Sequence, residues 1–146
     1  MGWLRRMPFL VVATLVACAG RSPPGLGVRD GRLAVCPDSP NCVSSQATDD
    51  RHRIAPLAFR GTADEGWARL REVLSARPDT RLVDSQADYL RVEFRTRLGF
   101  VDDGEFALDR EARVIHVRSA SRVGYSDLGK NRSRLGEIRQ ALEGTL

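Results

Sequence analysis

The chemically densest stretch of the chain runs from Arg118 to Arg132, RSASRVGYSDLGKNR. It holds three arginines, the only lysine, three serines, an aspartate and an asparagine. A second polar stretch, VDDGEF, sets Asp102, Asp103 and Glu105 side by side. The first stretch suits anion binding. Gly129 leaves backbone accessible at a helix start, where N–H groups without intrahelical partners attract negative charge. Arg122, Lys130 and Arg132 stand close by in sequence. The three carboxylates suggest a metal or acid–base centre, but strand alternation sends Asp102 to one face and Asp103 and Glu105 to the other. The two histidines, His52 and His116, lack zinc spacing to the cysteines. Ser44 or Ser45 with His52 and an aspartate makes a nominal triad with no nucleophile-elbow signature. No catalytic residue, metal site or cofactor is therefore expected.

These residues need elements to hold them. HRIAPLAF, His52 to Phe59, reads as a short edge strand, because Pro56 is tolerated only at an edge. Thr62 to Ala76 reads as a helix. Thr62 and Glu65 form a capping box, and Trp67, Leu70 and Leu74 share a face with Val73 beside them. Arg81 to Ser85 and Tyr89 to Thr96 read as strands joined by a polar turn at 86–88. A hairpin follows, its two alternating runs flanking Arg110-Glu111. The last helix is expected from Leu128 to Leu142, with Leu128, Leu135, Ile138 and Leu142 as its apolar stripe and Ser126 or Asp127 as its cap. The order β-α-β-β-β-β-α implies an α+β fold: an antiparallel sheet of about five strands with two helices packed on one face.

Placing Asp109 opposite Ala112 sets the hairpin register. Phe106 then faces Ile115, Gly104 faces Val117 and Asp102 faces Ser119. Phe100, Phe106, Leu108, Ile115 and Val117 share the core side. The far end of that side carries Asp102, Ser119 and Ser121, which are expected to floor a ligand site with Arg122, Asn131 and Arg132 on its rim. On the opposite side Asp103 pairs with Arg118 as a solvated ion pair, and Glu105 lies across from His116. The bland alternative is a structural polar network through Asp103, Glu105, Arg118, Tyr125 and Asp127 that holds the helix to the sheet.

The amino terminus, MGWLRRMPFLVVATLVAC, has a basic pair at Arg5 and Arg6 and an apolar stretch from Met7 to Ala17 too short to span a bilayer. It reads as a secretory signal, residues 1–17. Leu15-Val16-Ala17-Cys18 resembles the bacterial lipobox, in which the cysteine is lipidated and becomes the first residue. An ordinary cleaved signal and an uncleaved anchor are the alternatives. Ala19 after Cys18 points to the outer membrane by resemblance to the enterobacterial sorting rule. Residues 18–34, rich in Gly, Pro and Arg, suit a flexible tether, and the folded domain is expected over 35–146. Lipidation of Cys18 leaves Cys36 and Cys42 as an even pair in an oxidising compartment. Pro37 to Asn41 are turn formers that can bring the two Cα atoms within about 4.4–6.8 Å, against roughly 20 Å for an extended chain. A disulfide is expected.

The formal charge is +4, from 23 basic and 19 acidic residues. Without Arg5 and Arg6 it falls to about +2, and the basic residues are interleaved with acids, so a nucleic-acid partner is excluded. CPDSPNCVSS, GFVDDGEF and RSASRVGYSDLGKNRSRL together resemble the bacterial and plastid family catalogued as domain of unknown function 1499. The resemblance spans about Cys36 to Leu142 and implies the domain limits, without a reaction. The expectation is a periplasm-facing lipoprotein, held to the membrane by its lipid, that binds an anionic small molecule or an envelope protein. A hydrolase on an envelope substrate is the runner-up, and a passive structural lipoprotein the third possibility.

Overall fold

The computed structural model describes residues 19–144, so the expected signal 1–17 and Cys18 lie outside the described residues. Six strands form one antiparallel sheet: β1 (Cys42–Ser44), β2 (Leu57–Ala58), β3 (Thr80–Ser85), β4 (Tyr89–Arg95), β5 (Val101–Asp109) and β6 (Val114–Ser121). The order is β1-β6-β5-β4-β3, with β2 pairing further along the same edge of β6. Two helices, α1 (Ala63–Ser75) and α2 (Lys130–Glu143), complete the α+β fold. No helix among the described residues is long and apolar enough to cross a membrane.

The local chemistry explains the elements. At the start of α1 the Thr62 hydroxyl accepts from Glu65 N–H at 3.2 Å, and the Glu65 carboxylate accepts from Thr62 N–H at 2.7 Å. This capping box satisfies two donors that the first turn cannot. Trp67, Leu70, Val73 and Leu74 are buried against Leu90, Val92, Phe106, Ile115 and Val117, in one core that also takes Leu135 and Ile138 of α2. The disulfide joins Cys36 to Cys42. Cys42 then enters β1 opposite Ala120, so the closed loop is fastened to the end of β6.

The hairpin of β5 and β6 has a longer turn than expected. Asp109 pairs with Val114, not Ala112, because its carboxylate accepts from Ala112 N–H at 2.8 Å and Arg113 turns the chain at φ 56°. Every pair moves by two residues: Asp102 faces Ser121, Gly104 faces Ser119, and Glu105 faces Arg118. An even shift leaves each side chain on its expected face.

The last helix begins at Lys130, two residues later than expected. Leu128 sits at φ 53° and is 95% exposed, so it is not part of the core stripe. The cause is Asp127, whose carboxylate accepts from Gly129 N–H at 3.0 Å and Asn131 N–H at 2.8 Å and so caps the helix from upstream. Phe100, expected on the core face, precedes β5 and is exposed.

The stretch expected as a tether makes defined contacts across the face of the sheet away from the helices. Gly20 lies against Arg122 and Val123, Ser22 accepts from Arg91 at 2.9 Å, and Gly27 N–H donates to Glu105 at 2.7 Å. Leu33 is buried beside Tyr89 and Ala107.

Candidate functional site

On the helix side, β5, β6 and α2 bring four of the six expected ligand residues together. The Ser119 hydroxyl donates to Asn131 Oδ1 at 2.5 Å, and Asn131 Nδ2 donates to Ser121 Oγ at 3.1 Å. Asp102 sits opposite the half-buried Ser121 and is buried with Ser119 and Asn131. Asn41, from the disulfide loop, joins the group: its carbonyl accepts from Asn131 at 3.2 Å, and its amide donates to Gly124 O at 2.6 Å.

The centre of this group is a residue not expected there, Arg134. Its side chain is the largest that is fully buried among the described residues. It lies 4.5 Å over the Phe94 ring, its Nη1 is 2.9 Å from Asp102 Oδ2, and the same nitrogen donates to Asn131 Oδ1 at 3.2 Å. The approach to Asp102 is a charge contact without hydrogen-bond alignment, and Nε and Nη2 of Arg134 have no hydrogen-bond partner among the described residues. Gly104 makes the stack possible, since a Cβ there would fall 2.4 Å from Phe94 Cε2. Arg134 was legible in one respect: residues 131, 134, 135 and 138 have the i, i+3, i+4, i+7 spacing of an inward face.

Arg122 and Arg132 lie elsewhere. Arg122 follows Ser121 by one position, so alternation turns it to the opposite face, where it clamps Asp103 with two contacts of 2.7 Å. Arg132 points away from the cluster and donates to the carbonyls of Arg53 and Arg51 at 2.7 and 2.8 Å, fastening α2 to that loop.

The opposite face carries a charge network that is buried except at Arg81. Asp103 pairs with Arg122, not Arg118, and both partners are buried, so the solvated pair is replaced by a covered one. Arg122 also donates to Glu93 at 2.7 Å, and Arg81 reaches the other Glu93 oxygen at 2.7 Å. Glu105 is fully buried and accepts from Gly27 N–H, from the Tyr89 hydroxyl at 2.9 Å and from Arg118 at 3.3 Å. Burial pushes the Glu93 carboxyl up, but hydrogen bonds from Arg81 and Arg122 outweigh it and hold the group below its ordinary range. The hydrogen bonds to Asp103 lead the causes that raise Arg122 above the usual guanidinium value. Burial, then the Glu105 charge, drives the Tyr89 hydroxyl upward. Of the other residues expected in a structural network, Asp127 caps α2, while Tyr125 is exposed and stands apart.

Hydrolytic chemistry finds little support in the geometry. Ser45 Oγ is 3.1 Å from His116 Nδ1, but it also accepts from Val117 N–H at 2.9 Å and so extends the β1–β6 pairing. Asp109 lies 3.7 Å from His116 Nε2, beyond hydrogen-bond range. The His52 imidazole is held by Asp49 and by the Ser39 carbonyl, and His52 meets Ser44 through the main chain, its carbonyl accepting from Ser44 N–H at 2.8 Å. Among the described residues no three His, Cys, Asp or Glu side chains converge as a metal ion requires.

Two clefts flank the 127–130 turn. One, of about 440 Å³, has Leu98, Phe100, Val123 and Leu128 as walls over Asp102 and Ser121. The other, of about 590 Å³, is lined by Arg95, Arg97, Lys130 and Arg134 together with Asp79 and Asp127. They share Thr96, Asp127, Leu128 and Lys130. Asp79 is already engaged by Arg77 at 3.1 Å, and the exposed side chains of Arg95, Arg97 and Lys130 make no ion pair among the described residues. The basic cleft is therefore net positive.

The molecule is thus a small α+β domain, with helices on one face of an antiparallel sheet and a strapped charge network on the other. Residues 32–142 match the family of proteins of unknown function DUF1499, and the chain belongs to that family. No curated protein and no solved structure matches it.

Proposed function

We propose that the chain is a periplasm-facing lipoprotein, anchored through Cys18 at the outer membrane, whose domain binds an amphiphile with an anionic head and an apolar tail. The anchoring part is supported by the basic pair, the short apolar run and the lipobox-like ending of the first eighteen residues. The binding part is carried by one observation: an apolar cleft and a basic cleft share a rim at Thr96, Asp127, Leu128 and Lys130. Their sizes suit small ligands, and the pairing of apolar walls with a few convergent charges is the usual chemistry of such sites. The head meets Lys130 and Arg97, and the tail lies along Leu98, Phe100 and Leu128.

The test is titration calorimetry on residues 19–146, which hold the whole described core and the disulfide, with dodecyl phosphate kept below its micelle concentration. Saturable one-to-one binding is expected, weakened about tenfold by Arg97→Glu or by Lys130→Glu through loss of a charge-assisted contact. Dodecyl glucoside, of similar tail but no charge, should bind more weakly. No saturable binding, or binding indifferent to both charge and these substitutions, ends this reading.

A further inference from the structure

The exposed large apolar side chains are unevenly placed. Of the seven among the described residues, four, Leu98, Phe100, Tyr125 and Leu128, lie in two loops, 96–100 and 122–129, at one end of the sheet, while Val28, Val35 and Leu82 lie outside them. Leu98 is 79% exposed and Tyr125 is 72% exposed. β4 ends there, β5 begins there, β6 ends there, and α2 starts there. Arg95, Arg97 and Lys130 are exposed around the same loops. Apolar tips ringed by cations are the surface chemistry of a seat on an anionic bilayer: the tips enter the interface and the cations meet the phosphates.

The start of the described chain selects this partner over a protein. Gly20 packs against Arg122 and Val123, at the same end of the sheet. The apolar run Met7 to Ala17 and Cys18 directly precede it in sequence. The segment proposed as the membrane anchor therefore leaves the domain beside the apolar loops, and the hairpin turn at 110–113 lies at the far end of β5, roughly 25–30 Å away at about 3.3 Å per residue. We infer that the domain rests on the anionic bilayer surface through the 96–100 and 122–129 loops, with the mouth of the apolar cleft against the lipid. This rests on the anchoring reading above.

The experiment uses the full chain reconstituted in phosphatidylcholine vesicles with and without phosphatidylglycerol. A nitrobenzoxadiazole dye, whose emission rises on leaving water, is attached at Leu128→Cys, at Leu98→Cys, or at Glu111→Cys on the opposite end. Emission should rise at positions 128 and 98 in vesicles containing phosphatidylglycerol and stay flat at 111. Arg97→Gln or Lys130→Gln should lower the docked population roughly fivefold per charge removed. No rise at either loop, or an equal rise at 111, overturns the docking. A parent chain that takes up dye at Cys18 overturns lipidation alone, and docking is then read in the same variants carrying Cys18→Ala, where the apolar run still precedes the domain. Dodecyl phosphate binding by residues 19–146 separates failure of the ligand reading from failure of docking.

Discussion

Removing the Asp102 carboxylate tests what holds the sheet to α2. Arg134 is buried against Phe94, and Asp102 is its nearest carboxylate at 2.9 Å. The other acidic neighbour, Asp79, lies 3.6 Å from Nε and is already engaged by Arg77. Asp102→Ala therefore leaves a buried guanidinium with only a distant, shared counter-charge. Breaking one side of a buried ion pair typically costs about 3–5 kcal/mol. Asp79 offsets part of that, so a loss of about 3 kcal/mol is expected, a large share of the roughly 5–15 kcal/mol that holds a domain together. Urea unfolding of residues 19–146 measures it, provided the slope against urea is unchanged. Arg134→Met in the same chain removes the stranded charge while keeping an apolar group over Phe94. The double variant should lose less than the sum of the singles, by about 2 kcal/mol. A single-variant cost under about 1 kcal/mol, or strict additivity, would show that the pair does not carry the joint.

Two further outcomes concern the sheet. Glu93 is held below its ordinary value of 4.5, so its contribution is complete above that pH and fades as the pH falls through the lower, folded value. Glu93→Gln should remove this part of the acid limb in a series of urea midpoints, and an unchanged limb would assign acid sensitivity to other carboxylates. Gly104→Ala places a methyl group 2.4 Å from Phe94 Cε2 and 2.9 Å from Val92 Cγ2. Overpacking of this kind costs about 1–3 kcal/mol, and an unmoved melting temperature would show that the Phe94–Arg134 stack has slack.

Much of the architecture was written in periodicities. The capping box announced α1, and alternation assigned Asp102, Ser119 and Ser121 to one side and Asp103, Glu105 and Arg118 to the other, even though the register was displaced by two. The displacement arose in the turn, where a single side-chain acceptor, Asp109, made a longer loop than residue type alone suggested. Arg122 was assigned to the ligand rim by its nearness in sequence, although its parity with Arg118 already placed it on the far face. Arg134 was missed because an arginine on an apolar stripe looks like a solvated residue until Phe94, Asp102 and Asn131 are found around it. Leu128 shows the reverse error, an apolar residue at helical spacing that the Asp127 cap leaves outside the helix. Gly- and Pro-rich composition in residues 19–34 marks bends in the chain, but says nothing of whether those bends lie down on a surface.

The contacts of residues 19–33 with the sheet change how far the domain could travel. A free chain of that composition would let a tethered body wander over roughly 20 Å. With Gly20 lodged against Arg122 and Gly27 bonded to Glu105, that slack is taken up within the fold. Under the proposed anchoring the domain is moored rather than leashed. Its search for a ligand becomes two-dimensional, set by lateral diffusion in the leaflet rather than by a sweep through the periplasm. A partner displayed well above the membrane plane would lie out of range, whereas a minor component of the same leaflet would be met repeatedly.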